Sequence, residues 1–248
     1  MSVGNILNKL KEINNSNLVS VFVPSAKKQM SFTPLSVKQQ KDLIKSGLDG
    51  ALACVTISNI INDIIINNSS EKHKFLTTDK FPIILSLRNQ SFGNIFTLKE
   101  DDKQTIFDLN DILSKKLVYS YPEKVSFNLE DTEVSIALDL VSLEDDSKIN
   151  SVQIEKSKKN KDENISDTVG SLFIYEIVKF VTGITINKEE LNLSTLPVKD
   201  RLNVIENLPA VLNNQILDYI QKFRKEESEY ITTDAGVLPV DARLFAKD

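Results

Sequence analysis

The 248-residue chain reads as an α+β protein, mostly helical, with an N-terminal β-hairpin and a central small antiparallel sheet. Three observations support this. Apolar residues recur at three- and four-residue spacing through most of the chain, the period of a helix buried along one face. A β-branched run, Leu18 to Val23, is followed after a short turn by Met30 and Phe32. Between Val125 and Leu140 apolar and polar residues alternate, as they do in strands buried on one face only.

Val3, Ile6, Leu7, Leu10 and Ile13 predict a short first helix, broken by residues 14–17. Leu18, Val19, Val21, Phe22 and Val23 then form a strand, and the Pro-Ser-Ala-Lys-Lys run at 24–28 is a hairpin turn with solvated lysines. Pro34 ends the return strand. Ser36 with Gln39 three residues on is a capping box, hydroxyl and amide satisfying N–H groups at a helix start. Leu43, Ile44, Leu48, Ala51, Leu52 and Val55 continue at helical spacing, interrupted near Gly47 and Gly50, since each interior glycine costs about 1 kcal/mol. Ile57, Ile60, Ile61, Ile64 and Ile65 mark the next helix. Thr78 or Asp79 caps a third, with Pro82 tolerated in its first turn and Gly93 ending it.

Residues 115–156 read as the central sheet, with Glu130-Asp131-Thr132 as a turn, and the charged stretch 156–163 as an exposed linker. From Asp167 a helix carrying Val169, Leu172, Phe173, Ile177, Val178 and Val181 runs to Gly183. Pro197 and Pro209 sit near two further helix starts. The second carries Leu212, Ile216, Tyr219, Ile220 and Phe223 up to the RKEESE run. The polar tail ends in Leu244-Phe245, an apolar end expected to dock. The expected domains are 1–94 (hairpin plus helices), 95–165 (β-rich insert with charged linker) and 166–248 (helices and extended tail), the first and last packing as one.

Composition is that of an ordinary globular chain, 41% hydrophobic and 26% charged. The net charge of −5 argues against generic nucleic-acid binding, and no apolar run has the length of a membrane span. Residues 1–15 read as an amphipathic helix rather than a secretory leader. One cysteine and one histidine exclude an internal disulfide and make a structural zinc site improbable. None of the phosphate-, dinucleotide-, hydrolase- or metal-binding motifs occurs. His73, in NNSSEKHKFL, reads as an exposed loop residue, and Cys54 as a buried helix residue. The acidic groups Glu100-Asp101-Asp102 and Glu144-Asp145-Asp146 read as charged turns, and Arg88 as a buried ion-pair partner with a structural role. No catalytic, cofactor or metal residue is assigned. A hairpin with an open edge, amphipathic helices and an apolar tail are devices for binding other chains. The candidate partner-binding residues are Val19, Val21 and Val23 on the edge strand and Leu238, Leu244 and Phe245 in the tail.

Residues 18–93 carry Val23-Pro24-Ser25, Lys27-Lys28, Phe32-Thr33-Pro34-Leu35, Val37-Lys38 with Lys41, and Leu87-Arg88-Asn89-Gln90-Ser91-Phe92-Gly93. This ordered set resembles the baseplate hub and hub assembly proteins of T4-like contractile-tailed phages, with weaker echoes at 136–143 and 241–245. The chain departs from that family in having Gln39-Gln40 where members often show two glutamates, and in lacking a cysteine pair ahead of the central strands. The resemblance implies a non-enzymatic structural or assembly role in the baseplate hub. The alternative is a cytoplasmic chaperone or adaptor that binds tail or other proteins and is absent from the mature particle. Implied partners are other hub or tail proteins, the tape-measure protein among them, with no nucleic acid and no membrane. The oligomeric state is open. The implied location is the host cytoplasm during assembly and, for a retained subunit, the virion tail baseplate.

Overall fold

The computed structural model describes residues 3–101, 103–115, 117, 123–129, 132–159 and 165–246. The chain forms two compact units, Met1–Leu117 with Glu229–Asp248, and Val118–Ser228.

The first unit opens with helix α1 (Val3–Ser16), followed by strands β1 (Val19–Val23) and β2 (Lys28–Phe32). These pair antiparallel with Val21 opposite Met30. Lys27, at φ 52°, closes the turn in the left-handed region. Odd-numbered β1 residues face inward: Val21 and Val23 are buried and Val19 is half-buried, while Ser20 and Phe22 point out. The outer edge of β2 is closed by the segment after helix α3 (Ala53–Asn68), through Thr33 N–H to Asn68 O (2.8 Å) and Ser70 N–H to Ser31 O (2.9 Å).

Helix α2 (Val37–Ser46) starts at the predicted capping box: Gln39 N–H donates to Ser36 Oγ (3.2 Å) and Ser36 N–H to Gln39 Oε1 (2.9 Å). The Gln39 amide also donates to Asn68 Oδ1 (2.7 Å), and Asn68 Nδ2 donates to Thr33 O (3.0 Å), joining the cap to the end of the hairpin. The break predicted near the glycines is present, as α2 ends at Gly47 and a single 3-10 turn, Gly50–Leu52, leads into α3. Phe32 is buried, and Pro34 and Leu35 are half-buried. Helix α4 (Lys80–Phe92) follows a 3-10 turn at Thr77–Asp79, has Pro82 in its first turn, and closes on Gly93 at φ 85°.

Strands β3 (Ile95–Glu100) and β4 (Lys103–Asp108) form a second hairpin that period counting misses. Phe96 and Phe107 face each other on its buried side, ring centroids 6.1 Å apart. Asp101 lies in its turn, as expected of a charged turn, whereas Asp102 is outside the described residues. Asp108 then caps helix α5 (Leu109–Leu113).

In the second unit, strands β5 (Glu123–Leu129) and β6 (Thr132–Leu138) bear out the central sheet; of the predicted turn at 130–132, Glu130 and Asp131 fall outside the described residues and Thr132 begins β6. The sheet does not continue to residue 156. Residues Leu143–Lys159 form helix α6. Its buried stripe is Leu143, Asp146, Ile149, Asn150 and Gln153, helical in spacing but polar at three of five positions, which hides the period from a hydrophobicity count. The acidic group at 144–146 is therefore the first helical turn, where acids complement the helix dipole, and not a loop. Lys156, Lys158 and Lys159 occupy its last turn rather than a linker, and residues 160–163 lie outside the described ones.

Helix α7 (Ile165–Phe180) stops three residues before Gly183, because Val181–Ile186 is strand β7. The β-branched residues Val181, Thr182, Ile184, Thr185 and Ile186 favour the pleated surface and override the helical period. Gly183 lies opposite Ala137, and a Cβ there would sit 3.4 Å from the Leu191 carbonyl oxygen, so the glycine permits close strand approach. Strand β8 (Glu189–Asn192) completes an antiparallel sheet in the order β5-β6-β7-β8.

Helices α8 (Val198–Glu206) and α9 (Ala210–Ile231) begin directly after Pro197 and Pro209, as predicted. Helix α9 does not end before RKEESE, however, since that charged run is good helix-forming sequence and continues it to Ile231. Two ion pairs tie α6 to its neighbours. Arg201 grips Asp145 bidentately (2.6 and 2.9 Å) and donates to the Leu196 and Ser194 carbonyls, while Lys179 reaches Asp146 at 2.9 Å.

The chain then re-enters the first unit. Lys115 donates to the carbonyls of Glu229, Tyr230 and Thr232, satisfying acceptors left open at the end of α9. Strands β9 (Thr232–Thr233) and β10 (Gly236–Val237) precede a 3-10 turn at Ala242–Phe245. Leu238, Leu244 and Phe245 are buried, so the apolar tail docks as expected. Arg88 Nε donates to Leu244 O (3.2 Å) and Gln40 Nε2 to Phe245 O (3.0 Å).

Candidate interaction surface

The nearest approach to a catalytic constellation is Ser25, His73 and Asp79. Ser25 lies in the turn of the first hairpin, His73 precedes α4, and Asp79 is fully buried at the start of α4. Asp79 Oδ2 accepts from Ser25 Oγ (2.6 Å) and Leu76 N–H (2.8 Å), Oδ1 accepts from Ser25 N–H (2.9 Å), and Ser25 Oγ meets His73 Nε2 at 2.8 Å. His73 is not a plain exposed loop residue: its ring stands edge-on to Phe75 with centroids 5.0 Å apart, and it is half-buried. The bonding order decides the chemistry. A carboxylate accepts only, so the serine proton points to Asp79, and His73 must donate from Nε2 to the serine oxygen. In a hydrolytic triad the imidazole lies between the two and takes the serine proton. Here the serine is the middle member, and the cluster clamps the hairpin turn to the start of α4. Burial raises the Asp79 carboxyl above its ordinary pKa, opposed by the Ser25 and Leu76 hydrogen bonds and the nearby His73.

A groove of about 520 Å³ runs between α2 and α3, lined by Lys38, Gln39, Asp42, Lys45, Asp63, Ile64 and their neighbours. Partial burial raises the Asp63 carboxyl. The groove is open and carries both signs of charge, unlike the enclosed apolar pockets that hold small ligands. Cys54 is exposed rather than buried: it lies in the first turn of α3, on the face that Ile57 and Ile61 bury further along the helix. Arg88 is buried as expected, donating to the Leu244 and Gly93 carbonyls and stacked near Phe92 and Phe96 at 5.8 and 5.7 Å. Among the described residues no three of His, Cys, Asp and Glu converge to hold a metal. No described helix is long and apolar enough to cross a membrane.

Exposed apolar side chains of the first unit lie on its hairpins and first helix and also at Val37, Ile44, Leu48 and Val237. Of the sequence-predicted partner residues, Val21, Val23, Leu238, Leu244 and Phe245 are buried and Val19 is half-buried. The outward apolar residues beside them are Leu18 and Phe22, the latter 52% exposed. Parity was the available signal: if Val19, Val21 and Val23 face the core, Phe22 must face out. Among the described residues no strand is paired to the outer edge of β1, since β1 and β2 form a two-stranded sheet. The second hairpin presents Ile95 and Ile106 on its exposed face, diagonal across the ladder.

Residues 16–232 match the family model described as T4 bacteriophage base plate protein. The chain belongs to that family. The match runs from the start of the first hairpin to the end of α9, far beyond the 18–93 stretch on which the resemblance was read. No curated protein and no solved structure matches the chain. Membership of this baseplate family makes it a phage baseplate structural or assembly protein.

Proposed function

We propose that the chain serves the hub of a contractile-tail baseplate as a non-enzymatic component, working through contacts with other hub or tail proteins. The family match over both compact units supports this reading. The contact surface is the first hairpin. Its open β1 edge offers unpaired backbone groups for strand addition, and Leu18 and Phe22 supply apolar side chains beside that edge. In this arrangement Val19, Val21 and Val23 contribute their backbone while their side chains hold the strand to its own core. The tape-measure protein is a further candidate partner on the same surface.

The test is affinity capture of the tagged full chain from infected cells, beside the variant Phe22→Asp. Recovery of hub or tail proteins with the parent and their loss with the variant is the expected result. Equal recovery would remove the hairpin from the interface, and recovery of no tail protein at all would overturn the hub reading. Mass spectrometry of purified particles then separates a retained subunit from an assembly factor that leaves.

A further inference from the structure

The groove between α2 and α3 carries charges that the fold leaves unused. The two helices run antiparallel, since the Gln39 amide at the start of α2 donates to Asn68 Oδ1 at the end of α3 (2.7 Å). Each wall contributes one helical stripe at four-three-four spacing. On α2 and just beyond it the stripe is Lys38, Asp42, Lys45 and Asp49, and on α3 it is Thr56, Ile60, Asp63 and Asn67. Asp42 lies one turn in from Gln39, and Asp63 just over one turn in from Asn68, so the two carboxylates stand at matching levels on opposite walls. Asp63 is the sole charge among the 16 residues of α3, and its groove neighbours on that helix are Ile60 and Ile64. Burial alone perturbs its carboxyl, so among the described residues no hydrogen bond or ion pair offsets the lost hydration. The ion pairs described in this unit, Lys28 with Glu71 and Arg243 with Glu100 and Asp241, all lie elsewhere.

We propose that this groove docks an amphipathic helix of another protein, whose contact face sets an arginine between Asp42 and Asp63 and an acidic residue one turn to either side, opposite Lys38 and Lys45. Charge selects the occupant. The α2 stripe alternates plus, minus, plus, minus, and its complement on a facing helix is acid, arginine, acid at three- and four-residue spacing. Arginine suits the middle position because its aliphatic stem lies on Ile60 and Ile64 while its planar head donates to two carboxylates at once. Shape agrees, since a groove between two packed helices is the seat of a third. A second copy of this chain does not supply that arginine. Its four arginines are engaged: Arg88 by the Leu244 carbonyl, Arg201 by Asp145, Arg224 by Glu176, and Arg243 by Asp241 and Glu100.

The test is an NMR titration of the isotope-labelled full chain with two alanine-based helical peptides. One carries Glu-x-x-x-Arg-x-x-Glu, and the other has the charges exchanged, Arg-x-x-x-Glu-x-x-Arg. The first is expected to give saturable amide shifts within residues 38–49 and 56–67. The exchanged peptide is expected to bind at least about tenfold more weakly, and Asp63→Asn to weaken the first peptide by a similar factor. The urea midpoint of Asp63→Asn should match or exceed the parent's, because a carboxylate without a partner has been removed. Absent saturation, equal affinity for the two peptides, or unchanged affinity in Asp63→Asn would each overturn the proposal. A lower urea midpoint in Asp63→Asn would do the same, since the carboxylate would then be holding the fold. So would shifts at these residues that grow with protein concentration alone, which would make a second copy the occupant. The groove lies apart from the β1 edge, so the hub reading stands or falls separately, on partner capture through Phe22.

Discussion

Replacing Asp79 by Ala probes the clamp between the first hairpin and α4. The carboxylate is fully buried and receives three hydrogen bonds, from Ser25 N–H, Ser25 Oγ and Leu76 N–H, between 2.6 and 2.9 Å. Hydrogen bonds to a charged group contribute about 1.5–3 kcal/mol each, and an orphaned buried donor costs about 1–3 kcal/mol. Against this, the variant is relieved of burying a charge, and that burial is the dominant influence on the Asp79 pKa. The net expected loss is about 3 kcal/mol, read as a lower urea midpoint at unchanged slope. Asp79→Asn is also destabilising, because its amide nitrogen is a donor set against donors.

The pH dependence has a definite sign. The folded-state pKa of Asp79 lies above its unfolded value, so the native state binds this proton more tightly. The contribution from its titration is fully present below the unfolded pKa near 3.8 and is lost as pH rises through the folded pKa. The stability advantage of the parent over Asp79→Asn is therefore expected to shrink as pH rises through that window. An advantage that grows with pH there would refute the reading that desolvation outweighs the hydrogen bonds, and a loss below about 1 kcal/mol in Asp79→Ala would refute the clamp.

Further outcomes follow from other contacts. Arg201→Ala leaves Asp145 without its bidentate partner and the Ser194 and Leu196 carbonyls without a donor, so a loss of about 3–5 kcal/mol is expected in urea unfolding. Phe245→Ala empties a fully buried ring site at the docked tail and is expected to cost about 3–5 kcal/mol by thermal or chemical denaturation. Gly47→Ala would set a methyl 2.8 Å from the Ala242 side chain, and hydrogen exchange at residues 242–246 should rise as the tail is pushed off α2. Phe22→Asp, at an exposed position, is expected to change stability by less than about 0.5 kcal/mol.

Much of the first unit is legible locally. The Ser36–Gln39 capping box, the helix end at Gly93 and the first hairpin depend on residues within a few positions of one another, and each is present. The second hairpin was missed because only Phe96 and Phe107 of its residues are fully buried, too few to set a clear period of two. Helix α6 was missed because Asp146, Asn150 and Gln153 sit on its buried face, where partners such as Lys179 make polar residues acceptable. Of the interaction surface, alternation along β1 could have pointed to Phe22, whereas Ile95 and Ile106 needed the second hairpin to be found first.

By itself the sequence determined the mixed helical and strand architecture, the position of the helix caps, the absence of the common catalytic motifs and the likeness to the baseplate family. Those are matters of short-range hydrogen bonding, spacing and residue type. The tertiary structure alone decided that Ser25 stands between His73 and Asp79, that Arg88 holds the Leu244 carbonyl, that Leu244 and Phe245 fill their own unit, and that Val3, Ile6, Leu10 and Ile13 of α1 are left exposed. Each of these depends on which distant faces meet, and a side chain's own neighbours along the chain carry no record of that.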